Sequence, residues 1–387
     1  MKKEKVVSIT RIRSLARSAA PQMLLAVLAL AAMPKTGLWA QTSTLGTAFP
    51  MYVAEVNNHE IVKVDSSGNQ SVFTSGGNIS FPQGVAFDSS GNLYVADFFN
   101  LIVRVDGSGN QSVFTSGGNL ENPWGLAFDS SGILYVASAN NNAIVKVDRS
   151  GNQSVFTSGG NLSFPVGLAF DSSGILYVAS ANNNAIVKVD PSGNQSVFTS
   201  NIDISFPFGL AFDPSGNLYV ACSGNSSIVK LDRSGNQSVF TSGGNLSVPI
   251  GLAFDNNGIL YEADNGNSSI VRMDSSGNQS VLSSGGNFSG PEFLAFSLSP
   301  SSQINGLIAK VQALVNAGVL NGGQGNSLIV SLNHALSYLP GQLQKAINQL
   351  QVFVGKVNTL ISGDVLTQGQ GQPLLDSANS IIHQLGG

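Results

Sequence analysis

Acidic side chains at five positions are the groups of this chain best suited to chemistry. They stand in or beside short apolar runs, at Glu55, Asp97, Glu262, Asp264 and Glu292. Carboxylate oxygens can hold a divalent cation such as calcium, and carboxyl groups can act as general acid and base. The sequence is therefore compatible with a metal-dependent hydrolase, provided that the fold brings several of these oxygens together.

Histidine and cysteine offer little further chemistry. His59 is the one histidine among the first 300 residues, so a zinc site built from several histidines is excluded there. Cys222 is the only cysteine, which rules out an internal disulfide and a thiolate zinc cluster. We therefore assign no catalytic residue, metal site or cofactor, and calcium is the alternative that stays open.

A repeated unit is the frame that must position these residues. The motif Pro-x-Gly-[Leu/Val]-Ala-Phe-Asp has its proline at 82, 123, 165, 207 and 249, and a degraded copy starts at Pro291. Each period contains four short runs with strand character. Four strands in a repeat of about 40 residues are typical of a propeller blade.

The number of blades depends on both ends of the repeat region. The unit from Met51 to Ile79 lacks a first strand, whereas Pro291 to Phe296 is a first strand alone. Joined, they would form one composite blade and remove two open sheet edges. We therefore predict an all-β, six-bladed propeller over residues 51–297, with this composite closure.

Variation among nearly identical repeats marks candidate ligand-binding positions. The residue between proline and glycine begins the innermost strand, beside the channel where propellers bind ligands. It is, in order, Gln83, Trp124, Val166, Phe208, Ile250 and Glu292. We interpret Val166 and Ile250 as packing residues. For Trp124 and Phe208, packing and ligand binding are equal alternatives, since aromatic side chains also anchor ligands.

The loop between the second and third strands of a blade supplies the remaining candidates. Glu55, Asp97 and Asp264 precede this loop where other blades have serine or cysteine, and Phe98 and Phe99 lie in the second blade's shortened loop.

Glu262 replaces a valine that the other five blades share. A buried carboxylate needs a partner, which we expect to be Arg272 or a channel water, with a ligand or metal role as the alternative.

Residues 1–40 have the features of a secretory signal peptide. Basic residues precede an apolar run from Met23 to Met33, which is shorter than the roughly 20 residues that span a bilayer. We therefore expect a secreted, periplasmic or surface protein with no membrane span after cleavage, and a short N-terminal segment at 41–50. Removal of seven Lys and Arg and one Glu changes the formal charge from −4 to −10, which argues against a nucleic-acid partner.

A change of period marks a second domain after a linker at 298–303. Apolar residues at Ile304, Leu307, Ile308 and Val311 follow helical spacing. The sequence Val-Leu-x-x-Gly-Gln-Gly also occurs twice, at Val319 and at Val365. We predict a small all-α domain of four helices, arranged as two hairpins, over residues 304–387.

Two resemblances extend these predictions. The motifs Gly-[Leu/Val]-Ala-Phe-Asp, Leu-Tyr-Val-Ala-Asp and Asn-x-x-Ile-Val-[Lys/Arg]-[Val/Met]-Asp resemble NHL repeats over about residues 51–297. This implies a six-bladed propeller of SMP-30/gluconolactonase-like, TolB-like architecture. The helical segment, with Phe353-Val-Gly-Lys-Val357, is similar to the FIMAH domain of bacterial secreted and surface proteins, which implies an extracellular setting.

Three functional hypotheses follow. We favour a binding protein without enzymatic activity, whose variable rim meets an unknown protein, peptide or glycan. The alternative is an enzyme at the central channel. By resemblance, it would be a metal-dependent lactonase-like hydrolase or a virginiamycin-lyase-like enzyme that uses a histidine, for which His59 is the one candidate in the propeller. A purely structural extracellular protein is the third hypothesis.

Overall fold

The computed structural model describes residues 50–200 and 203–386. The predicted signal peptide at 1–40, and all but the last residue of the segment at 41–50, lie outside the described residues. Six antiparallel sheets of four strands each precede four helices. The predicted fold class is therefore confirmed.

Each blade extends from an innermost strand at the channel to an outermost strand at the periphery. In that order, blade 1 comprises β24 (Pro291–Phe296), β1 (Met51–Glu55), β2 (Glu60–Val64) and β3 (Gln70–Ser75). Blade 2 comprises β4 (Pro82–Phe87), β5 (Leu93–Asp97), β6 (Leu101–Val105) and β7 (Gln111–Ser116). Blade 3 comprises β8 (Pro123–Phe128), β9 (Leu134–Ser138), β10 (Ala143–Val147) and β11 (Gln153–Ser158).

The remaining blades repeat this order. Blade 4 comprises β12 (Pro165–Phe170), β13 (Leu176–Ser180), β14 (Ala185–Val189) and β15 (Gln195–Thr199). Blade 5 comprises β16 (Pro207–Phe212), β17 (Leu218–Cys222), β18 (Ser227–Leu231) and β19 (Gln237–Ser242). Blade 6 comprises β20 (Pro249–Phe254), β21 (Leu260–Asp264), β22 (Ser269–Met273) and β23 (Gln279–Ser284).

Blade 1 closes the ring as the sequence predicts. Its innermost strand β24 pairs with β1 in antiparallel register, with Met51 opposite Phe296 and Val53 opposite Leu294. Residues from the two ends of the repeat region thus share one sheet, and no blade lacks its innermost strand.

Repeated polar contacts hold neighbouring blades together at their outer edges. The Gln111 side chain of blade 2 donates to Thr74 Oγ1 of blade 1 at 2.9 Å and accepts from the Asn78 backbone at 2.8 Å. Gln153 makes the same two bonds between blades 2 and 3, to Thr115 and Asn119. One glutamine per repeat therefore links each blade to the preceding one.

Glycine permits the innermost strands of adjacent blades to approach each other closely. A Cβ atom on Gly84 or Gly167 would collide with the carbonyl oxygen of Trp124 or Phe208, respectively, on the next blade. The same holds at Gly125, Gly209 and Gly251. In blade 1 the sixth copy of this position is Phe293, which packs against two buried clusters, one from blades 1 and 2 and the other mainly from blades 4 and 5. The central channel is therefore narrow and filled by side chains.

Four helices form the C-terminal domain: α1 (Pro300–Asn316), α2 (Gly322–Tyr338), α3 (Leu343–Ser362) and α4 (Gln368–Gln384). The first begins inside the predicted linker at 298–303, because Ser299 Oγ accepts from the Ser302 backbone at 2.9 Å and Pro300 suits the first helical turn. Phe353 and Leu332 lie in its buried core. No helix among the described residues is long and apolar enough to cross a membrane.

The duplicated Gly-Gln-Gly motif starts the second helix of each hairpin. Gln324 and Gln370 each complete a capping box with the preceding Asn321 or Thr367. The following glycines, Gly325 and Gly371, are buried, and a Cβ there would meet side chains of the preceding helix. The motif is therefore explained by helix capping and packing.

The helical domain docks on blade 2, on the rim formed by the Asp-x-x-Gly turns. Lys310 Nζ of α1 donates to Ser90 Oγ at 2.8 Å and to Ser377 Oγ of α4 at 3.1 Å. Arg104 and Asp376 form an ion pair at 3.7 Å. A hollow of about 330 Å³ remains between α4 and blade 2, and the equivalent hollow of about 460 Å³ on blade 3 is uncovered.

Gly107 makes blade 2 suitable for this contact. Other blades have serine, arginine or proline at the equivalent turn position. A Cβ on Gly107 would lie 3.3 Å from Ser380 Oγ, so a larger side chain would displace α4.

We therefore expect Gly107→Arg to undock the helical domain without unfolding the propeller, because an arginine side chain cannot fit beneath α4. Hydrogen exchange followed by mass spectrometry should show faster exchange in α1 and α4. Ser66→Arg, at the equivalent exposed position of blade 1, is the control and should leave exchange unchanged. Equal protection in both variants would contradict this account of docking.

We also expect Gly167→Ala to destabilise the propeller by about 3 kcal/mol, because the methyl group would force two innermost strands apart. Denaturant unfolding measures this change. Gly355→Ala, in α3 where a Cβ meets nothing within 4 Å, is the control and should be neutral or slightly stabilising. A loss below about 0.5 kcal/mol for Gly167→Ala would contradict the close approach.

Candidate binding site

The channel mouth is built from the residue that precedes the glycine position on each innermost strand. Trp124 of blade 3 and Phe208 of blade 5 have ring centroids 5.4 Å apart, although blade 4 lies between these blades. Both side chains therefore reach into the central space. Val166, Ile250 and Phe208 pack there in one buried cluster, against which Trp124 lies half-buried. The packing interpretation of Val166 and Ile250 agrees with this burial.

The opposite half of the channel mouth is polar. Glu292, Gln83 and Trp124 follow one another on the consecutive innermost strands β24, β4 and β8. Gln83 is 5% exposed and Glu292 8% exposed. Glu292 Oε1 accepts from Asn265 Nδ2 at 3.0 Å. Among the described residues, no hydrogen-bond partner reaches Gln83 Oε1, Trp124 Nε1 or Glu292 Oε2.

Burial determines the charge of Glu292. It raises the pKa of this carboxyl to about 8, and the nearby Glu55 contributes in the same direction. The side chain is therefore mostly protonated at neutral pH.

Glu262 is fully buried beside the same mouth. Its Oε1 accepts from the Ile250 backbone at 3.3 Å, and its Oε2 has no partner among the described residues. Burial, and secondarily the charge of Asp264, raise its pKa well above the usual value. The expected pair with Arg272 was wrong: Glu262 lies opposite Val271, whereas Arg272 lies opposite Tyr261 and is exposed. Alternation of side chains across the sheet separates the two charges.

Three of the candidate carboxylates hold the backbone of the neighbouring loop. Asp97 accepts from the backbone of Ser80 at 2.7 Å and of Phe81 at 2.8 Å. Asp264 accepts from Ser247 at 2.7 Å, and Glu55 accepts from Gly290 at 2.7 Å.

Serine does the same work in two other blades. Ser138 and Ser180 accept the equivalent N–H groups of Glu121 and Ser163, each at 2.8 Å. The three acidic residues thus have a structural role that serine can also fill.

The carboxylates do not assemble a metal site. Within residues 50–200 and 203–386, no three His, Cys, Asp or Glu side chains are grouped so as to hold a metal ion. Glu55, Asp97 and Asp264, which could have contributed oxygens, are engaged by backbone N–H groups. The residues present therefore do not fit the metal centre that a lactonase-like hydrolase requires, and we derive no metal-dependent step.

An aromatic surface borders the channel mouth along blades 2 to 5. We call it the aromatic rim, and it comprises Phe81, Phe98, Phe99, Trp124, Phe164, Phe206 and Phe208. Phe99 is 57% exposed and Phe98 41% exposed. Ring contacts link Phe81 to Phe98 and Phe99, and a second set links Phe164, Trp124, Phe208 and Phe206.

Three residues of the aromatic rim, Phe81, Phe164 and Phe206, were not predicted from the sequence. Each directly precedes the motif's proline, where other blades have Asn122, Val248 or Gly290. Variation at that position is the signal that could have found them, because the neighbouring residues hardly vary.

Two of these phenylalanines adopt an unfavourable backbone conformation. Phe164 has φ 55° and Phe206 has φ 48°, in the left-handed region that bulky residues avoid. The side-chain oxygens of Asn142 and Asn184 accept their respective N–H groups at 2.8 Å and hold them in place. Such strain costs on the order of 1 kcal/mol per residue and is concentrated at ligand-binding sites. Asn122, at the equivalent position of the preceding blade, adopts the same conformation with a tolerant residue type.

His59 lies on the same rim but outside the channel. It is exposed in the loop between β1 and β2, and its ring contacts Phe81 with centroids 4.9 Å apart. The structure thus places it among the aromatic residues and not beside Glu292.

Comparison with known proteins agrees with this architecture. The model of the virginiamycin B lyase family matches residues 99–283, slightly less than half of the chain. A chain of the nidogen/laminin complex has 21% identity and a TM-score of 0.58, over 66% of this chain and 99% of that one. A streptogramin B lyase has 16% identity and a TM-score of 0.52, over 66% and 92%.

A third similar structure contains a bound ligand. It is a catalytically inactive histidine-to-alanine variant of Staphylococcus aureus virginiamycin B lyase with quinupristin, at 17% identity and a TM-score of 0.50, over 62% of this chain and 86% of that one. No curated protein sequence matches significantly.

These likenesses identify the fold. The chain is a six-bladed β-propeller protein, as the NHL-like repeats imply, with a C-terminal four-helix domain, as the apolar spacing after residue 303 predicts. The sequence similarity to the virginiamycin B lyase family extends from the third strand of blade 2 to the outermost strand of blade 6.

Glu292 should make stability depend on pH. A carboxyl whose pKa is about 8 when folded, against about 4.5 when unfolded, stabilises the fold at low pH and loses that contribution as pH rises. We expect the wild-type free energy of unfolding to fall by about 2 kcal/mol from this group between pH 5 and pH 7. Glu292→Gln should reduce this slope and raise the melting temperature at pH 7. Glu121→Gln, an exposed acid on the same rim, is the control, and identical slopes in all three proteins would refute the assignment.

Proposed function

We propose that this protein is a non-catalytic binding protein, which takes a peptide or a peptide segment of a partner protein on the aromatic rim and channel mouth. The observation that carries the proposal is the aromatic rim itself. Aromatic side chains, phenylalanine included, are enriched at protein interfaces, and two residues of the aromatic rim, Phe164 and Phe206, are kept at a cost in backbone energy. At these two positions Asn or Gly would relieve the backbone strain, so the phenylalanines lower the stability of the fold. Selection for binding best explains why phenylalanine is present there.

The electrostatics and packing of the mouth support the same proposal. Unpartnered buried polar atoms lie beside an apolar wall, as in sites that combine a hydrophobic contact with a few oriented polar ones. Among the described residues, no three His, Cys, Asp or Glu side chains are grouped there so as to hold a metal ion, which supports binding over metal-dependent hydrolysis.

The experiment is a selection of displayed random peptides against the exported chain. The wild type is compared with a variant that carries Phe98→Ala, Phe99→Asn and Phe206→Asn. All three side chains are exposed, and asparagine at position 206 relieves the backbone strain there. We therefore expect the variant's free energy of unfolding to change by no more than about 1 kcal/mol. Peptides recovered on the wild type should bind this variant at least tenfold more weakly.

A matched control separates the rim from general stickiness. Val113 and Val155 are 50% and 49% exposed. They lie on β7 and β11, the outermost strands of blades 2 and 3, and therefore at the periphery and not at the channel mouth. Val113→Ser with Val155→Ser should leave peptide binding unchanged. Recovery of no peptides, or of peptides that bind the rim variant as tightly as the wild type, would overturn the proposed function.

A lyase activity is the second candidate, and the family match favours it. The inactive histidine-to-alanine variant indicates that the Staphylococcus aureus enzyme depends on a histidine, whereas residues 99–283 of this chain contain none. We therefore expect no loss of intact quinupristin, followed by chromatography, when it is incubated with the full chain. Turnover that survives replacement of His59 would establish an enzyme with a different set of groups.

We also propose that the chain is exported by residues 1–40 and acts outside the cytoplasm, by reason of the charge and apolar pattern there. N-terminal sequencing of the mature protein should begin near Gln41. A mature chain that starts at Met1 would contradict export through this segment.

A further inference from the structure

Three of the unpartnered atoms at the channel mouth are side-chain oxygens, two of which belong to carboxyl groups that become pure acceptors when they ionise. Gln83 Oε1, Glu262 Oε2 and Glu292 Oε2 are buried and have no partner among the described residues. The unpartnered nitrogen of this set is Trp124 Nε1, which can only donate. An unsatisfied buried acceptor costs about 1–3 kcal/mol, so a ligand that supplies donors recovers that energy.

Within the described residues, the rim around these atoms carries no lysine or arginine side chain. The twelve loops that border the mouth, between strands two and three and between successive blades, contain no lysine or arginine. The propeller's eight basic residues all lie on third strands or in the Asp-x-x-Gly turns of the opposite rim: Lys63, Arg104, Lys146, Arg149, Lys188, Lys230, Arg233 and Arg272.

Acidic residues border the mouth instead. Glu121 and Asp203 lie in the rim loops, and Glu55, Asp97 and Asp264 end second strands of the blades. A surface with charges of one sign attracts ligands of the opposite sign and repels others.

Aromatic faces add a second source of attraction for a cation. Trp124 is half-buried at the polar side of the mouth and contacts both Phe164 and Phe208. Cations bind over aromatic faces, most strongly over tryptophan, and more so where water is excluded. Acidic surroundings repel an acidic ligand, and a neutral ligand gains little from the aromatic faces. The combination of these features with buried oxygens therefore favours a cationic ligand.

We propose that the channel mouth binds the ammonium or guanidinium group of a lysine or arginine side chain of the peptide ligand, with Glu292 and Gln83 as acceptors and Trp124 as the aromatic face. This inference rests on the proposed function and specifies its ligand. The aromatic rim then contacts the apolar residues that flank the cationic one.

Binding of a cation should also change the protonation of the mouth. Because burial raises the pKa of Glu292 to about 8, this carboxyl must lose its proton to form a charge-assisted bond at neutral pH. The reaction is balanced by release of that proton to the buffer. Affinity should therefore rise with pH up to about 8.

The test uses the peptides recovered from the selection, synthesised with acetylated and amidated ends. Each lysine is replaced by norleucine and each arginine by citrulline, and binding is measured by isothermal titration calorimetry. We expect replacement of one cationic residue to weaken binding at least tenfold, and Glu292→Gln to weaken the parent peptide equally. The two changes together should cost little more than either alone, and titrations at pH 7 in buffers of different ionisation enthalpy should show proton release.

Controls make the outcomes distinct. Asp364→Asn should change the affinity less than twofold, since its side chain is exposed in the turn between α3 and α4 of the helical domain, on the opposite side of the propeller from the mouth. Two results would overturn the cation site and leave the binding function intact. In the first, the recovered peptides lack Lys and Arg. In the second, they bind equally well after replacement of these residues but still lose affinity for the variant at Phe98, Phe99 and Phe206. Peptides indifferent to that variant would overturn the binding function itself.

Discussion

Backbone contact between innermost strands is the constraint on which the rest of the structure depends. Five glycines allow five of the six innermost strands to lie against a carbonyl oxygen of the next blade. This contact narrows the channel and places the residue before each glycine at its mouth. Substitution at those preceding positions changes the lining of the mouth without altering the path of the strands, so the repeat can keep one fold while its ligand surface varies.

The architecture could be predicted from the sequence because the repeat is strong. A period near 42 residues, four strand-like runs per period and incomplete units at both ends lead to six blades and to the pairing of β24 with β1. The helical domain follows similarly from its apolar spacing. Its first helix begins at Pro300 because of a local cap at Ser299, which periodicity alone does not reveal.

The site was less predictable, for identifiable physical reasons. Glu55, Asp97 and Asp264 attract attention as charged residues, but their oxygens serve backbone N–H groups that only the folded loop brings near. Conversely, Phe164 and Phe206 look like ordinary loop residues until their backbone angles are known. Glu262 was correctly singled out as anomalous, yet its assigned partner Arg272 lies on the other side of the sheet. Residue type and spacing thus located the mouth but did not assign roles within it.

Closure of blade 1 by strands from both ends of the propeller also orders events in time. During synthesis, β1 to β3 emerge first and must wait for β24, roughly 240 residues later, before their sheet is complete. Non-local pairing of this kind slows folding, although the entropy of closing so long a loop grows only slowly with length. Until then β1 exposes an unpaired, apolar edge that can pair with another chain. A protein of this design benefits from being kept unfolded until translation has passed Phe296, and a chain truncated before that residue should be prone to association through β1.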